Sequence, residues 1–147
     1  MNLEQLHAEW KSDSQIEFNK LDVSSVETPK LHAKYLELLS TYKLKLKDAE
    51  FKQKELMKNK WLWYNGKLDQ DEIEKLGWDP DPFDGLRILK GEMQHYVEAD
   101  PELVASEAKM AYLNTIIETL KEILENIKWR HQTIRNAIEW KKFEAGF

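Results

Sequence analysis

Residues 101–145 read PELVASEAKMAYLNTIIETLKEILENIKWRHQTIRNAIEWKKFEA, and this run sets the fold class. Leu103, Ser106, Met110, Leu113, Ile117, Leu120, Leu124, Ile127, His131, Ile134 and Ile138 alternate strictly at spacings of three and four. Sustained over about five heptads, that alternation marks a coiled-coil or helix-bundle seam. Ile116, Ile123 and Ala137 lie one position ahead of the seam and widen it, which suits a multi-helix assembly better than a two-stranded coil. Asp100-Pro101 supplies a cap and a first-turn proline, and neither Gly nor Pro recurs before Gly146. The spacing predicts one helix of roughly 40 residues, about 60 Å long. Such a seam can be covered by a second helix of the same chain or by another copy. A helix that long outreaches the core of a single domain of this size, so self-association is favoured. Met110, Leu113, Ile117, Leu120, Leu124, Ile127, Ile134 and Ile138 are the expected contact residues.

Working back toward the N-terminus, Thr28-Pro29 gives a second start signal and Asn65-Gly66 a stop. Between them runs a predicted helix of roughly 35 residues, about 50 Å long. Leu31, Tyr35, Leu38, Tyr42, Leu46, Ala49 and Leu56 cluster on one face of its helical wheel. Lys43, Lys47, Lys54 and Lys58 form a stripe on one flank, Lys45 and Lys52 border the other, and Lys60 falls in the core-face sector. Leu44, Phe51 and Leu62 lie beyond the first lysine stripe, and the helix ends in Trp61-Leu62-Trp63-Tyr64 with Lys67 close behind. Cations that neutralise phosphates, set beside aromatic faces that stack on any base, make a workable surface for single-stranded nucleic acid. The plainer alternative is a solvated lysine face with its aromatics packed against other helices.

Asn2 is a candidate cap for a short helix carrying Leu3, Leu6 and Trp10, and Ser12–Ser25 holds a connection. Asp69 with Glu72 resembles a capping box that opens a short acidic turn ending at Gly77. The run from Gly77 to Gly85 is the one clear loop, and a moderate helix is expected after it with Leu86, Leu89, Met93 and Tyr96 on one side. The whole reads as a single helical domain over 1–147. It comprises an acidic N-terminal segment (1–27), a basic helix (28–67), an acidic helix–loop–helix (68–100) and an oligomerisation helix (101–147).

The chain has 147 residues and a net charge of −5, yet that charge is segregated. Residues 28–67 carry ten Lys against four acids, or +6, whereas residues 1–27 stand at −4 and residues 68–147 at −7. A segregated charge bears on partners more than its sum does. No Cys is present, which removes thiol chemistry. No apolar run approaches a membrane span, and Met1–Trp10 lacks the pattern of a signal peptide, so a soluble intracellular protein with no membrane partner is expected.

Catalytic chemistry finds little support in the sequence. It holds no Gly-rich phosphate loop ending in Gly-Lys-Ser/Thr and no nucleophile–base pairing, so no catalytic residue is assigned. Glu92 and His95 have the spacing of a di-iron carboxylate ligand pair, but no second copy completes it. Asp79, Asp81 and Asp84 superficially resemble a calcium loop, and their intervening prolines favour a turn. No metal or cofactor is expected, and His131 on the seam reads as a packed or register-setting polar residue.

Several segments carry a family resemblance: Pro29–Leu36, the run Met57-Lys58-Asn59-Lys60-Trp61-Leu62-Trp63-Tyr64-Asn65-Gly66-Lys67, Leu76-Gly77-Trp78, Tyr96–Asp100, and Ile138–Gly146. In order and spacing they resemble the UvsY recombination mediators of T-even-type phages and their cyanophage relatives, nearly end to end. The resemblance implies a non-enzymatic protein that binds single-stranded DNA without sequence preference, in the cytoplasm of an infected bacterial host. It implies contact with the phage recombinase (UvsX-type) and with the phage single-strand-binding protein, whose replacement by the recombinase it favours. It also implies assembly through the C-terminal helical region into rings of about six or seven subunits.

The family's motif, Leu-Lys-x-Arg followed by aromatics and Gly, places its two cations at Lys58 and Lys60. Here Met57 replaces the usual Leu and Lys60 the usual Arg, which keeps charge but gives up planar stacking and bidentate phosphate geometry. The expected DNA-contact set is Lys43, Lys47, Lys54, Lys58, Lys60, Lys67, Trp61 and Tyr64. The expected fold is all-α, a long-helix bundle whose coiled-coil-like C-terminal helix drives a ring-shaped homo-oligomer. The competing reading is a helical oligomeric scaffold, or a chaperone-like interaction protein, with no nucleic-acid role.

Overall fold

In the computed structural model, which describes all 147 residues, the chain is all-helical. The helices are α1 (Leu3–Asp13), α2 (Leu21–Tyr64), α3 (Gln70–Leu76), α4 (Met93–Glu98), α5 (Pro101–Lys128) and α6 (Arg130–Glu144). Asn2 caps α1 through a reciprocal box: its side-chain oxygen accepts from Gln5 N–H at 2.8 Å, and its own N–H donates to the Gln5 side chain at 2.9 Å.

Helix α2 starts seven residues earlier than its Thr28-Pro29 signal predicts, leaving Pro29 inside it. The missing N–H would have bonded Ser25, which is exposed, so water can serve the freed carbonyl. One turn earlier, Leu21 and Ser24 are buried and extend the packed face upstream of the proline. Ser24 Oγ accepts from Glu17 N–H at 3.2 Å, which anchors the connection to the new helix start. Tertiary packing of two residues thus overrides a local start signal.

The single C-terminal helix expected from the heptads is two, interrupted at Trp129. There Trp129 N–H bonds Asn126 O, a tighter turn than the α-helical one, and the residues beyond it change face. Arg130 becomes buried and its guanidinium reaches the carbonyls of Gln15 and Ser24, both at 3.5 Å. His131, expected on the seam, is exposed. A second expectation also fails, for Leu86 and Leu89 are 65% and 72% exposed in irregular chain and the helix is confined to Met93–Glu98. Left-handed Gly85 and a second glycine, Gly91, bracket that stretch, and its leucines bury too little to repay ordering it. Asp69 precedes α3 without making a side-chain cap.

The residues assort into two compact units. The first comprises Met1–Leu44 and Asn114–Phe147, thus α1, the first part of α2, the second part of α5, and α6. Its core is Leu6, Leu21, Tyr35, Leu39 and Tyr42 with Ile116, Ile117, Leu120, Ile123, Ile127 and Ile134. Trp10 meets Tyr35 edge-to-face at 5.4 Å. The Tyr35 hydroxyl and the Lys34 ammonium both donate to Asp13, at 2.8 and 2.6 Å. The second unit is Lys45–Leu113, and aliphatic residues are scarce in its buried set: Ala49, Gln53, Lys60, Tyr64, Ile73, Asp100, Leu103 and Leu113.

The heptad residues are therefore spent largely inside one chain. Leu113, Ile117, Leu120, Ile127 and Ile134 are buried, Met110 and Leu124 are half-buried, and Ile138 alone of the eight is exposed. Leu120, wholly inaccessible, should be among the costliest of these to truncate. Leu120→Ala is expected to lose about 3 kcal/mol of stability in urea denaturation followed by circular dichroism. Leu44→Ala, at a side chain 72% exposed, should stay within about 0.5 kcal/mol of the parent.

Candidate nucleic-acid interface

The second unit is built around one buried ion pair. Asp100 ends the acidic segment as the cap of α5: its Oδ1 accepts from the backbone N–H groups of Glu102 (3.0 Å) and Leu103 (3.1 Å). Its Oδ2 faces α2, where it accepts from the Tyr64 hydroxyl at 2.7 Å and lies 3.1 Å from Lys60 Nζ. Both charged side chains are at most 4% exposed. The Lys60 ammonium also sits 4.1 Å from the Trp78 ring centre and 4.6 Å from that of Trp63, while Glu102 approaches it at 3.4 Å. A desolvated cation with two carboxylates and two indole faces is fully provided for.

Local sequence delivers each partner. Gly77 closes α3 at φ 73°, and the following Trp78 N–H returns to Ile73 O, which folds the Trp78 indole back over Lys60. Trp78 Nε1 donates to Glu102 at 2.9 Å, and Trp63 Nε1 to the Asp79 carbonyl at 2.7 Å. Phe83 packs between Tyr64 (5.6 Å) and Tyr96 (5.4 Å). The aspartates of that loop serve the turn: Asp79 accepts from Asp81 N–H, and Asp81 from the N–H groups of Phe83 and Gly85.

Burial alone would push the Asp100 carboxyl up. The Tyr64 hydroxyl, the Leu103 N–H and the Lys60 ammonium outweigh it and hold the group below the ordinary carboxylate range. Tyr64 shifts the other way: burial, its bond to Asp100 and the Asp100 charge all raise its hydroxyl.

Of the eight residues expected to meet DNA, Lys60 and Tyr64 are thus turned into the protein, 3% and 8% exposed. Lys60 occupies the inward sector of the helical wheel, where Asp100 compensates its charge; the carboxylate partner was the part no local pattern disclosed. Lys43 is exposed and belongs to the first unit. In the second unit Lys47, Phe51, Lys54, Lys58 and Trp61 share an arc of about 80° on α2. All five are exposed, with Phe51 at 58% and Trp61 at 50%. Lys47 has Glu50 at 3.4 Å, a loose surface pair, whereas Lys54 and Lys58 have no carboxylate within 4.0 Å. Lys54 lies 6.0 Å from the Phe51 ring centre. Left-handed Gly66 ends α2 and turns the chain so that Lys67 Nζ stands 5.4 Å from the Trp61 ring centre.

An exposed cation stripe interleaved with aromatic faces, on a wholly helical chain, is the kind of surface that suits a nucleic-acid-binding class of helical protein. The sequence belongs to the UvsY family. The model of that family, described as recombination, repair and ssDNA binding protein UvsY, matches residues 9–147. The recombination protein uvsY of Enterobacteria phage T4 is 27% identical over 146 residues, covering 99% of both chains. Two crystal structures of the bacteriophage T4 recombination mediator protein UvsY superpose with TM-scores of 0.81 and 0.78, at 27% and 25% identity. The first covers 99% of each chain, and the second 95% of this one and 98% of the other. The chain is accordingly an all-α phage recombination protein of the mediator kind, and none of its helices is long and apolar enough to cross a membrane.

The ion pair gives the stability a defined pH dependence. Because the folded Asp100 value is depressed, its contribution is complete above the unfolded value of about 3.9 and is lost as pH falls through the lower folded value. Asp100→Asn should cost about 3 kcal/mol at pH 7, since Lys60 loses its closer, buried carboxylate and keeps only the more exposed Glu102, and the deficit should narrow below about pH 4. Urea melts at pH 7 and pH 3 check this; a deficit independent of pH would contradict it.

Proposed function

We propose that the chain binds single-stranded DNA without sequence preference and promotes recombinase assembly by helping to displace the single-strand-binding protein. The observation that carries the first part is the Lys47–Phe51–Lys54–Lys58–Trp61 face, in which exposed ammonium groups, those of Lys54 and Lys58 without a carboxylate partner, are interleaved with accessible rings. Lysines supply phosphate neutralisation, and the rings supply stacking that tolerates any base. Lys43 and Lys67 belong to the same reading. Lys60 and Tyr64 act in it as positioning residues, holding the end of α2 in shape. Displacement, and contact with the recombinase and the single-strand-binding protein, rest on membership in the mediator family.

The working form in this reading is a homo-oligomer of about six or seven copies in the infected cell. With most seam residues committed to the chain's own core, the contact between copies falls to what α6 leaves open. Ile138, Trp140 and Phe143 are 39%, 57% and 70% exposed there. Repetition of a modest basic face around a ring raises effective concentration and turns weak contacts into avid binding.

A salt titration of fluorescent oligonucleotide binding tests the proposal in three forms of the protein. The parent should lose affinity steeply with log salt, and the Lys54→Ala/Lys58→Ala double variant should bind at least tenfold more weakly at 50 mM than the parent. Phe143→Glu should sediment as smaller species and lose affinity although no lysine has changed. Failure of the parent to bind single strands at low salt would defeat the reading.

A further inference from the structure

A groove of about 750 Å³ opens in the second unit between the end of α2 and α4, beside the lysine face. Its volume falls within the range of small-molecule sites, about 300–1,000 Å³. Trp61 forms one wall, with Met57, Met93 and Val97 as the apolar lining and Lys67 and Lys90 as its two cations. Trp61 and Met57 are about half exposed, at 50% and 45%. On α4, the Gln94 amide donates to the Glu98 carboxylate at 3.0 Å, so the same groove presents an amide and an acceptor oxygen beside the rings.

We infer that this groove is a nucleobase subsite, in which one base of a bound single strand leaves its stack and lies against Trp61. The inference rests on the single-strand reading above and adds a site to it. Three observations select a nucleotide as the occupant. One wall, the Trp61 indole, is flat, and Met57, Met93 and Val97 make the rest of the lining apolar, as stacking of a base on an indole requires. Lys90 adds a cation to Lys67 at the groove, and an inserted base carries phosphates on both sides that need neutralising. Of the remaining polar groups, Asn65 bonds the Trp61 carbonyl, while Gln94 and Glu98 have the donor and acceptor types that pair with base edges, an amide with adenine and a carboxylate with an exocyclic amine. Lys90 becomes a DNA-contact residue outside the α2 motif, and thymine, which has no exocyclic amine, becomes the least favoured occupant.

The test compares fluorescent single strands of equal length and charge, one of normal nucleotides and one whose sugars carry no bases, on the full-length protein. Val97→Trp fills the groove, and Trp61→Ala removes its stacking wall. Each is expected to weaken the base-bearing strand about tenfold while leaving the abasic strand within about twofold. Lys90→Ala should weaken both strands and flatten the salt dependence by about 0.7 in log–log slope. Helical content by circular dichroism checks that each variant folds, and Val97→Leu is the conservative control for that position. If Val97→Trp and Trp61→Ala change neither strand's binding, the groove is not a base subsite, while intact binding by the parent keeps the broader reading. If Val97→Trp spares strand binding but abolishes displacement of single-strand-binding protein, the groove receives a protein segment and the inference is overturned. If the parent binds neither strand, the broader reading has failed first.

Discussion

The second unit depends on a charge that has been taken out of water. Lys60 sits where a helix amphipathic by its apolar residues alone would put a leucine, and Asp100 is the counter-charge that makes this tolerable. The pair links the basic helix to the start of α5. Around it stand Trp63, Tyr64 and Trp78, whose polar atoms are all occupied. In a unit with so few aliphatic core residues, this ionic and aromatic cluster takes the place of an oily interior. It also fixes which side of α2 faces out, because Lys60 pointing inward leaves Lys54, Lys58 and Trp61 on the open side.

The two units use the same local chemistry twice. In the first, Asp13 accepts from Lys34 and Tyr35; in the second, Asp100 accepts from Lys60 and Tyr64. In both, one lysine and one tyrosine of α2 converge on an aspartate from elsewhere in the chain, and in both the carboxyl is held below its ordinary value. A carboxylate accepting a phenol and an ammonium holds both donors in defined directions, which fixes the rotation of a long helix more firmly than apolar contact alone. The first pair is partly open to solvent and is worth correspondingly less.

Much of this was legible in the sequence, and the parts that were not share a cause. The all-helical class, the Asn2 cap, the α5 start at Asp100-Pro101 and the α2 stop at Gly66 follow from local chemistry and stand as read. The early start of α2, the break at Trp129 and the missing helix over Leu86–Leu89 turn on whether a distant surface is there to pack against. The heptads located the buried strip but did not say whose helices cover it, since the same periodicity serves a neighbour in the chain or in another copy. For the site, Lys54, Lys58 and Trp61 were readable from spacing, and Lys60's inward sector was visible on the wheel. Its partner lies forty residues away in sequence, beyond any periodicity. Three segments that carry the family resemblance from separate places in the chain, Met57–Lys67, Leu76-Gly77-Trp78 and Tyr96–Asp100, converge on that one cluster.

Two adjacent cations of one motif therefore have different work: Lys58 faces the solvent and Lys60 holds the scaffold. The salt dependence of oligonucleotide affinity in Lys60→Met, set beside Lys58→Ala, tests this most directly. Each phosphate contact removed flattens the log–log slope by about 0.7 for single strands. That flattening is expected for Lys58→Ala, and for Lys60→Met a lower stability with an unchanged slope. An equal flattening in both variants would mean that Lys60 meets DNA, and would contradict it.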